Sequence, residues 1–464
     1  MKRIFSNRSF WTIGLLASVY VGSMGLSSCT DEDKSASTPI TVKTVYLEDA
    51  KSSVPDREVT FARLGSLIRI EGSGFTGMRK VYINGYSTYF NPVMITDNSM
   101  MIQISAETPV FEADSITRNT IHFVKDAAEL YYNFQIRDAA PTLTSISNTM
   151  PAAGDTITIY GSGLVEISKI TFPGDVIVTD GIISDVKGEF CRVIVPTGIT
   201  ESGSLLIEGS NGGVYSPAYF NCKSGVILNF DGVGAQGYWS WTATGSMINN
   251  IDLESNVIGS GVKSQGKYCA HHPARLPEFA LGKNRNSEVW TSGNGVDDWR
   301  GKYTTLIPAV TPVSDFAFQF DIYVPNEWKN TGYLKICLIN NFNGGEWTGN
   351  CYNYIPWLVN NAVTPFKTNG WVTVTIPFNK FYAYSGTTVN YTFENVLTMR
   401  DNASYQNFGF YFENSDIKLS NVTGSTADEN TIFPSAATSV SVYTDNWRLV
   451  PLTKPVYSDY PSTN

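Results

Sequence analysis

Short apolar runs recur along most of the chain and predict β-strands. They alternate hydrophobic with polar positions or carry β-branched residues, and turn-forming Gly, Asn, Ser and Asp separate them. In the second half of the chain these runs cover residues 316–324, 334–339, 371–376, 407–412 and 440–450. No segment has the spacing of a long amphipathic helix. The pattern therefore predicts an all-β protein.

Two of these segments repeat each other with a constant offset of 89 residues. Residues 65–75 read GSLIRIEGSGF, and residues 154–164 read GDTITIYGSGL. Each copy contains a β-branched strand that runs into a Gly-Ser-Gly turn. The period fits β-sandwich modules of about 100 residues, so we expect tandem immunoglobulin-like sandwiches over residues 41–138 and 139–222.

The composition changes at residue 223. Nine of the ten tryptophans follow this position, and residues 30–222 contain none. Strand-like runs continue, and Gly- and Asn-rich loops separate them. About 240 residues of this kind predict one larger jelly-roll-like β-sandwich over 223–464, and the aromatic residues indicate that it is a carbohydrate-binding one.

The amino terminus has the organisation of an export signal. Three basic residues precede the apolar stretch 10–26, which ends in Leu26-Ser27-Ser28-Cys29. This resembles the bacterial lipobox, which implies that residues 1–28 are a lipoprotein signal peptide and that Cys29 is lipidated. Residues 29–40 then form a tether. The alternative is an ordinary signal peptide with an incidental cysteine.

Three acidic residues, Asp31-Glu32-Asp33, follow the predicted lipidation site. They are similar to the signal that sends Bacteroidetes lipoproteins to the exterior face of the outer membrane. We therefore expect a lipid-anchored protein of the outer membrane that faces the cell exterior, with the lipid on Cys29 as its membrane anchor.

Charge and cysteine content exclude several kinds of partner. The formal net charge is −9, and removing residues 1–28, which hold three basic and no acidic residues, gives −9 − 3 = −12. Such an acidic chain is a poor partner for nucleic acid or polyanionic glycans, so we expect a neutral partner.

Five cysteines remain after Cys29, and none has the CxxC spacing of a zinc or thioredoxin-type site. We expect these cysteines to be buried free thiols. The alternative is one disulfide, whose pairing the sequence does not assign.

No cofactor and no catalytic metal are expected. Structural calcium is an open alternative, because it is common in sandwiches of this kind. Asp231 and Asp445 are its candidate ligands, near the first and last predicted strands of the C-terminal sandwich. Too few further ligands can be identified for a firm prediction.

Two stretches of the C-terminal sandwich have the composition of a sugar site. Sugar rings stack on exposed aromatic side chains, and their hydroxyls need amide, carboxylate or guanidinium partners. Residues 290–300 and 347–357 interleave such groups. The candidate glycan-binding residues are Trp290, Trp299, Arg300, Trp328, Trp347, Tyr352, Tyr354 and Trp357. Each tryptophan has the sandwich core as its alternative, which we favour for Trp371 and Trp447.

The whole arrangement resembles a known family. A lipobox, two modules similar to the IPT/TIG immunoglobulin-like family, and a tryptophan-rich final sandwich ending in DNWRLVP at residues 445–451 resemble the Bacteroidetes surface glycan-binding proteins. The type with a xyloglucan-binding terminal domain is the most similar. The resemblance implies non-catalytic capture of a neutral polysaccharide, such as β-glucan, xyloglucan or mannan, beside an outer-membrane glycan transporter complex.

Two other functions stay open at this point. A jelly-roll glycoside hydrolase would need two carboxylates about 5–9.5 Å apart. The candidates for such a pair are Glu278, Glu288, Asp297, Asp298, Glu346 and Glu413, but residues 223–464 lack the Glu-x-Asp pattern usual in jelly-roll β-glucanases. The third function is that of a surface adhesin without glycan binding.

Overall fold

A computed structural model of the chain gives its fold. It describes residues 37–49, 54, 56–237, 247–248, 253–255, 262–275, 286–293, 295–340, 351–419, 422 and 431–460. The chain forms two compact units that divide between Ile136 and Arg137. Among the described residues, no helix is long and apolar enough to cross a membrane.

The first unit contains one small sandwich. Its strands are β1 (Thr41–Leu47), β2 (Arg57–Glu58), β3 (Phe61–Arg63), β4 (Leu67–Ser73), β5 (Lys80–Ile83), β6 (Tyr86–Thr88), β7 (Ser99–Gln103), β8 (Thr120–Val124), β9 (Glu129–Asn133) and β10 (Gln135–Arg137). They form sheets in the orders β2-β1-β4-β7 and β6-β5-β8-β9, with β3 paired to β10. Side chains alternate between the two faces of a strand, so every second residue points between the sheets. The fully buried residues there include Ile68, Ile70, Val81 and Phe123.

The second unit begins with the second module. Its strands are β11 (Thr142–Ile146), β12 (Thr156–Ser162), β13 (Ile167–Phe172), β14 (Val176–Val178), β15 (Ile183–Ser184), β16 (Phe190–Ile194), β17 (Leu206–Gly209) and β18 (Gly212–Tyr215). They form two antiparallel sheets, β11-β12-β16-β15 and β14-β13-β17-β18. Both modules are therefore small sandwiches of two four-stranded sheets, and the first has the additional strand pair β3-β10.

The sequence repeat is also a structural repeat. Strands β4 and β12 occupy equivalent positions at the offset of 89 residues, and the first strand of each module has a bulge beside them. In each copy a Thr and a Ser hydroxyl bridge the two strands at 2.8 Å. At Gly72 and at Gly161, a Cβ would lie 1.9 Å from the backbone oxygen of the neighbouring strand, so only glycine fits.

The C-terminal sandwich contains the remaining strands. They are β19 (Val226–Leu228), β20 (Leu253–Glu254), β21 (Tyr268–His271), β22 (Asn286–Trp290), β23 (Phe316–Tyr323), β24 (Tyr333–Cys337), β25 (Cys351–Tyr354), β26 (Leu358–Val359), β27 (Ala362–Val363), β28 (Val372–Pro377), β29 (Gly409–Glu413), β30 (Ile417–Lys418), β31 (Ile432–Phe433) and β32 (Val442–Pro451). Two short α-helices, α1 (Trp299–Tyr303) and α2 (Phe393–Asp401), lie between strands.

Two sheets enclose the main core of this sandwich. The first sheet has the order β20-β21-β32-β23-β28, with β19 also paired to β32, and the second sheet has the order β22-β29-β24-β25. Phe318 and Phe320 of the first sheet pack in one apolar cluster with Phe410 and Phe412 of the second, and Trp447 lies in the same cluster. The predicted all-β class, with two small sandwiches followed by a larger one, is confirmed.

The second module and the C-terminal sandwich pack together within the second unit. Ala317 and Val450, on the outer side of the first sheet, belong to the apolar core of the second module. Beside them, Arg448 forms a buried ion pair with Asp321 at 2.9 Å and donates a hydrogen bond to the Thr149 hydroxyl at 2.9 Å. This junction has a continuous core and a satisfied buried cation.

Candidate functional site

Four of the candidate glycan-binding tryptophans lie in the protein interior. The exposed fractions of Trp290, Trp299, Trp328 and Trp357 are between 0% and 2%. Each indole N–H donates to an internal acceptor: the Glu288 carboxylate at 2.8 Å, the Asp297 carboxylate at 2.9 Å, the Thr331 carbonyl at 2.6 Å and the Gly332 carbonyl at 2.8 Å, respectively. Their predicted exposure is wrong, because a ring with its donor satisfied inside gains more from burial than from contact with water.

Trp299 and Arg300 begin helix α1 and serve to hold it in place. The Trp299 ring packs under the Arg400 guanidinium at 3.9 Å. Arg300 extends to the surface and forms ion pairs with Glu394 and Asp401 on α2, both at 2.8 Å. These hydrogen bonds raise the pKa of Arg300. Because its guanidinium is paired with two carboxylates, Arg300 links the two helices, and its contact with a glycan stays a prediction.

Tyr352 and Tyr354 on β25 face the main core rather than solvent. The Tyr354 ring meets Phe320 edge-on at 5.6 Å, and the Tyr352 ring lies 5.8 Å from Phe381. Both tyrosines are half-buried, and burial raises the pKa of each hydroxyl. The period of two along β25 turns both rings toward the core, and their contact with a glycan stays a prediction.

Trp347 lies outside the described residues, so its contact with a glycan stays a prediction. The described chain on either side of its segment ends at Asn340 and resumes at Cys351. Both residues lie at one end of the second sheet, beyond β24 and at the start of β25. Tyr405 is beside them: its carbonyl accepts a hydrogen bond from the Asn340 N–H at 3.1 Å, and its side chain is exposed.

The second sheet carries a distinct set of residues on the side away from the main core, which we call the second-sheet outer face. Core-facing Phe410 and Phe412 alternate along β29 with residues on this opposite side. The face consists of Glu288, Trp290, Lys335, Cys337, Cys351, Asn353, Tyr411 and Glu413. All eight side chains are buried, which is unusual for charged groups unless they are paired.

Lys335 and Glu413 on this face pair with each other, whereas one amide has no hydrogen-bond partner. The Lys335 ammonium lies 3.1 Å from the Glu413 carboxylate, which also accepts a hydrogen bond from Ser415 at 2.6 Å. Asn353, directly opposite Lys335 on the neighbouring strand, is only 6% exposed, and neither its amide nitrogen nor its amide oxygen has a hydrogen-bond partner. An unpaired buried amide is costly, and it offers the donor and acceptor that adjacent sugar hydroxyls require.

An aromatic cluster that was not among the predicted site residues lies on the outer side of the first sheet. It consists of Tyr268, Tyr323, Trp371 and Tyr443, with Glu254 and His272 at its margin. The Glu254 carboxylate accepts hydrogen bonds from the Tyr268 hydroxyl at 3.0 Å and from His272 at 2.6 Å. The available signal was strand alternation: Val372, Val374 and Ile376 face inward, so odd-numbered Trp371 faces outward and is not part of the main core.

The carboxylates proposed for hydrolysis mostly have structural partners. Asp297 pairs with Arg400 at 3.0 Å, Glu413 pairs with Lys335, and Glu288 accepts from the Trp290 indole. Asp298 caps helix α1 through the Gly301 N–H. Glu278 and Glu346 lie outside the described residues. The described candidates are therefore engaged in holding the fold.

The two predicted calcium ligands, Asp231 and Asp445, influence each other electrostatically. Asp445 is buried, and its pKa is raised by that burial, by the charge of Asp321 and by that of Asp231. Asp231 accepts a hydrogen bond from the Lys267 N–H at 2.9 Å. Among the residues that the structure describes, no group of three or more His, Cys, Asp or Glu side chains is placed to hold a metal. Calcium binding stays a prediction.

Comparison with known proteins places the chain in a family. The family model for the surface glycan-binding protein B xyloglucan binding domain matches residues 220–451, half of the chain. The crystal structure of the surface glycan-binding protein PbSGBP-B from Prevotella bryantii is 18% identical, covers 90% of this chain and 100% of its own, and superposes with a TM-score of 0.59. That agreement shows a common fold.

Two further relatives share less of the structure or of the length. An SGBP-B from a complex xyloglucan utilization locus in Bacteroides uniformis is 16% identical, over 89% of this chain and 99% of its own, with a TM-score of 0.46. An IPT/TIG domain-containing protein from Bacteroides ovatus is 23% identical over 68% of this chain, and the chain spans about half (54%) of that relative's length. On the family match over residues 220–451, this chain belongs to the surface glycan-binding protein B family, and the resemblance inferred from its sequence is confirmed.

Proposed function

We propose that this protein captures a neutral polysaccharide of the β-glucan, xyloglucan or mannan type at the cell surface, without cleaving it, and retains it for uptake by an outer-membrane transporter complex. The observation that carries this proposal is the family match, which spans nearly all of the C-terminal sandwich. The acidic net charge of −9 supports a neutral ligand, because it would repel a polyanionic one.

The glycan binds, in this proposal, at the end of the second-sheet outer face where β24 and β25 meet the segment between Asn340 and Cys351. Three features support this location. Asn353 has an amide without hydrogen bonds, the side chain of Tyr405 is exposed beside Asn340, and Trp347, the remaining predicted stacking residue, belongs to this segment. Together they supply the ring and the hydrogen-bonding groups that a sugar chain needs.

Affinity gel electrophoresis of the chain without residues 1–29, combined with a reducing-sugar assay, tests the function. The gels contain xyloglucan, mixed-linkage β-glucan, mannan or, as a charged control, polygalacturonate. We expect at least one neutral glycan to retard the protein, polygalacturonate to leave its mobility unchanged, and no reducing ends to form. Release of reducing ends would instead establish a hydrolase, and normal mobility in every gel would favour the adhesin.

Three variants test the location of the site. Trp347→Ala should weaken binding by about 1–3 kcal/mol, the scale of ring stacking. Asn353→Leu keeps the side-chain volume but removes both hydrogen-bonding atoms, and it should weaken binding by about 0.5–1.5 kcal/mol while raising stability. Trp371→Ala, on the first-sheet cluster, is the matched control and should bind normally. Loss of affinity in the control alone would move the site to the first sheet.

The lipid anchor is part of the same proposal and has its own test. If Cys29 carries the lipid, Cys29→Ala should release the protein from the outer membrane or mislocalise it, and labelled palmitate should no longer be incorporated. Retention of the label by the variant would contradict lipidation at Cys29 and leave the glycan proposal unaffected.

A further inference from the structure

Two cysteines on the second-sheet outer face lie directly opposite each other on neighbouring strands. Cys337 ends β24 and Cys351 begins β25, and the register pairs them. Their sulfur atoms are 3.5 Å apart, and both side chains are fully buried. The sequence had left one disulfide unassigned among five cysteines.

The strand pairing at this point favours a covalent bond. Cys351 lies on β25, the edge strand of the second sheet, whose only neighbour among the described strands of that sheet is β24. The Cys351 carbonyl points away from β24, because it accepts a hydrogen bond from the Tyr382 N–H at 3.1 Å. The pair is therefore of the non-hydrogen-bonded antiparallel type, in which opposite Cα atoms are about 4.5 Å apart and the side chains are closest. That separation lies inside the range that a disulfide bridges, so side-chain rotation can bring the two sulfurs to bonding distance.

We propose that Cys337 and Cys351 form a disulfide in the exported protein. The two thiols lose two protons and two electrons, the S–S bond forms, and the disulfide of a thiol oxidase in the cell envelope is reduced to a dithiol. In vitro, glutathione disulfide accepts the same electrons. In sequence, the bond joins the residues that flank 338–350, which include Trp347. This inference depends on export and is independent of glycan binding, so the two proposals fail separately.

Peptide mapping tests the bond directly. Trypsin leaves both cysteines on one peptide, residues 336–367, because no Lys or Arg lies between Lys335 and Lys367. The full-length exported protein is quenched in acid, then denatured and alkylated with iodoacetamide before digestion. We expect this peptide to be unalkylated and lighter by two hydrogens, and to take up two alkyl groups only after reduction. Cys269, on the peptide 268–275, is the internal control and should be alkylated in both samples.

A stability measurement provides an independent readout. The bond encloses 15 residues when both cysteines are counted, so reducing it should raise the unfolding equilibrium constant of the second unit about a hundredfold. The C337S/C351S double variant should be insensitive to reductant, whereas Cys269→Ser should respond as the unaltered protein does. Full alkylation of the 336–367 peptide before reduction, or equal stability of the unaltered protein with and without reductant, would overturn the proposal.

Discussion

Trp328 shows how a tryptophan of this sandwich is held by its N–H group as well as by its ring. Trp328 is fully buried, donates to the Thr331 carbonyl at 2.6 Å and packs 5.4 Å from Phe412. The same amphipathic side chain that suits a sugar site therefore suits a core whenever an internal acceptor lies within reach. Exposure, and not residue type, separates the two roles.

Trp328→Ala should reduce stability and not affinity. The substitution leaves a cavity in the main core and an unpaired Thr331 carbonyl, so we expect a loss of about 3–5 kcal/mol in the free energy of unfolding. Urea denaturation followed by circular dichroism measures this loss, and glycan affinity of the folded fraction is measured beside it. An unchanged midpoint together with lost affinity would return Trp328 to the glycan-binding residues predicted from the sequence.

His271 should make the second unit sensitive to acid. Burial, assisted by the nearby charge of His272, lowers the pKa of His271 from 6.5 to about 3, and the ring is hydrogen-bonded to the Ser287 hydroxyl at 2.8 Å. Because the folded pKa is below the unfolded one, the stabilisation is present above pH 6.5 and is lost as pH falls from 6.5 toward 3. The slope should reach about 1.4 kcal/mol per pH unit.

Comparison of His271→Asn with the unaltered protein isolates this contribution, because other acid-sensitive groups are common to both. The variant should unfold with a shallower pH dependence between pH 6 and pH 3.5. His122→Asn, in the first unit, should leave the slope of the second unit unchanged. Identical slopes for His271→Asn and the unaltered protein would contradict the assignment.

Among the elements, the strand pairs β1-β4 and β11-β12 of the two small modules are those that the sequence constrains most directly. The bulge beside Gly161 brings the Thr142 carbonyl to within 1.9 Å of where a Cβ would be placed. The same close approach occurs at Gly72, which explains why the glycine recurs at the offset of 89 residues. The repeated Gly-Ser-Gly sequence is thus a packing requirement of the strand pair.

Gly161→Ala should destabilise the second module by about 1–3 kcal/mol or more, since the backbone of β11 must move away. Gly203→Ala is the matched control in the same module, because its nearest neighbour to a new Cβ is the Pro173 ring at 3.6 Å, which is ordinary contact. Thermal unfolding of both variants measures the difference. Equal melting temperatures would show that the strand pair adjusts without cost.

At the scale of the whole molecule, the second module and the C-terminal sandwich share a core through Ala317 and Val450. The chain also returns to the module after β32, where the Tyr457 ring lies 6.4 Å from the Tyr215 ring on β18. Domain boundaries predicted at residues 138 and 222 stay predictions. Contact within the second unit nevertheless indicates that residues 137–464 unfold together.

A fragment of residues 137–464 should bind glycan as the intact chain does. A fragment of residues 223–464 should melt at a lower temperature, because Ala317 and Val450 become exposed and Arg448 loses the Thr149 hydroxyl. Residues 37–136 should not bind. Circular dichroism and affinity gels on all three fragments check these outcomes, and equal melting temperatures for the two longer fragments would contradict a shared core.

The sequence by itself determined the all-β class, the repeat and the family, because these depend on local alternation, on glycines at fixed spacing and on composition. It also indicates which face of a strand each residue occupies: Trp371 could have been assigned to the outer side of the first sheet from its odd position beside Val372. Only the tertiary structure decided which of those faces are covered. Trp290 and Tyr411 lie 6.5 Å apart although they are far apart in the chain, and Cys337 meets Cys351 only through the register of two strands. Neighbours across a sheet and the cover over its outer side arise from long-range pairing, which no local pattern encodes.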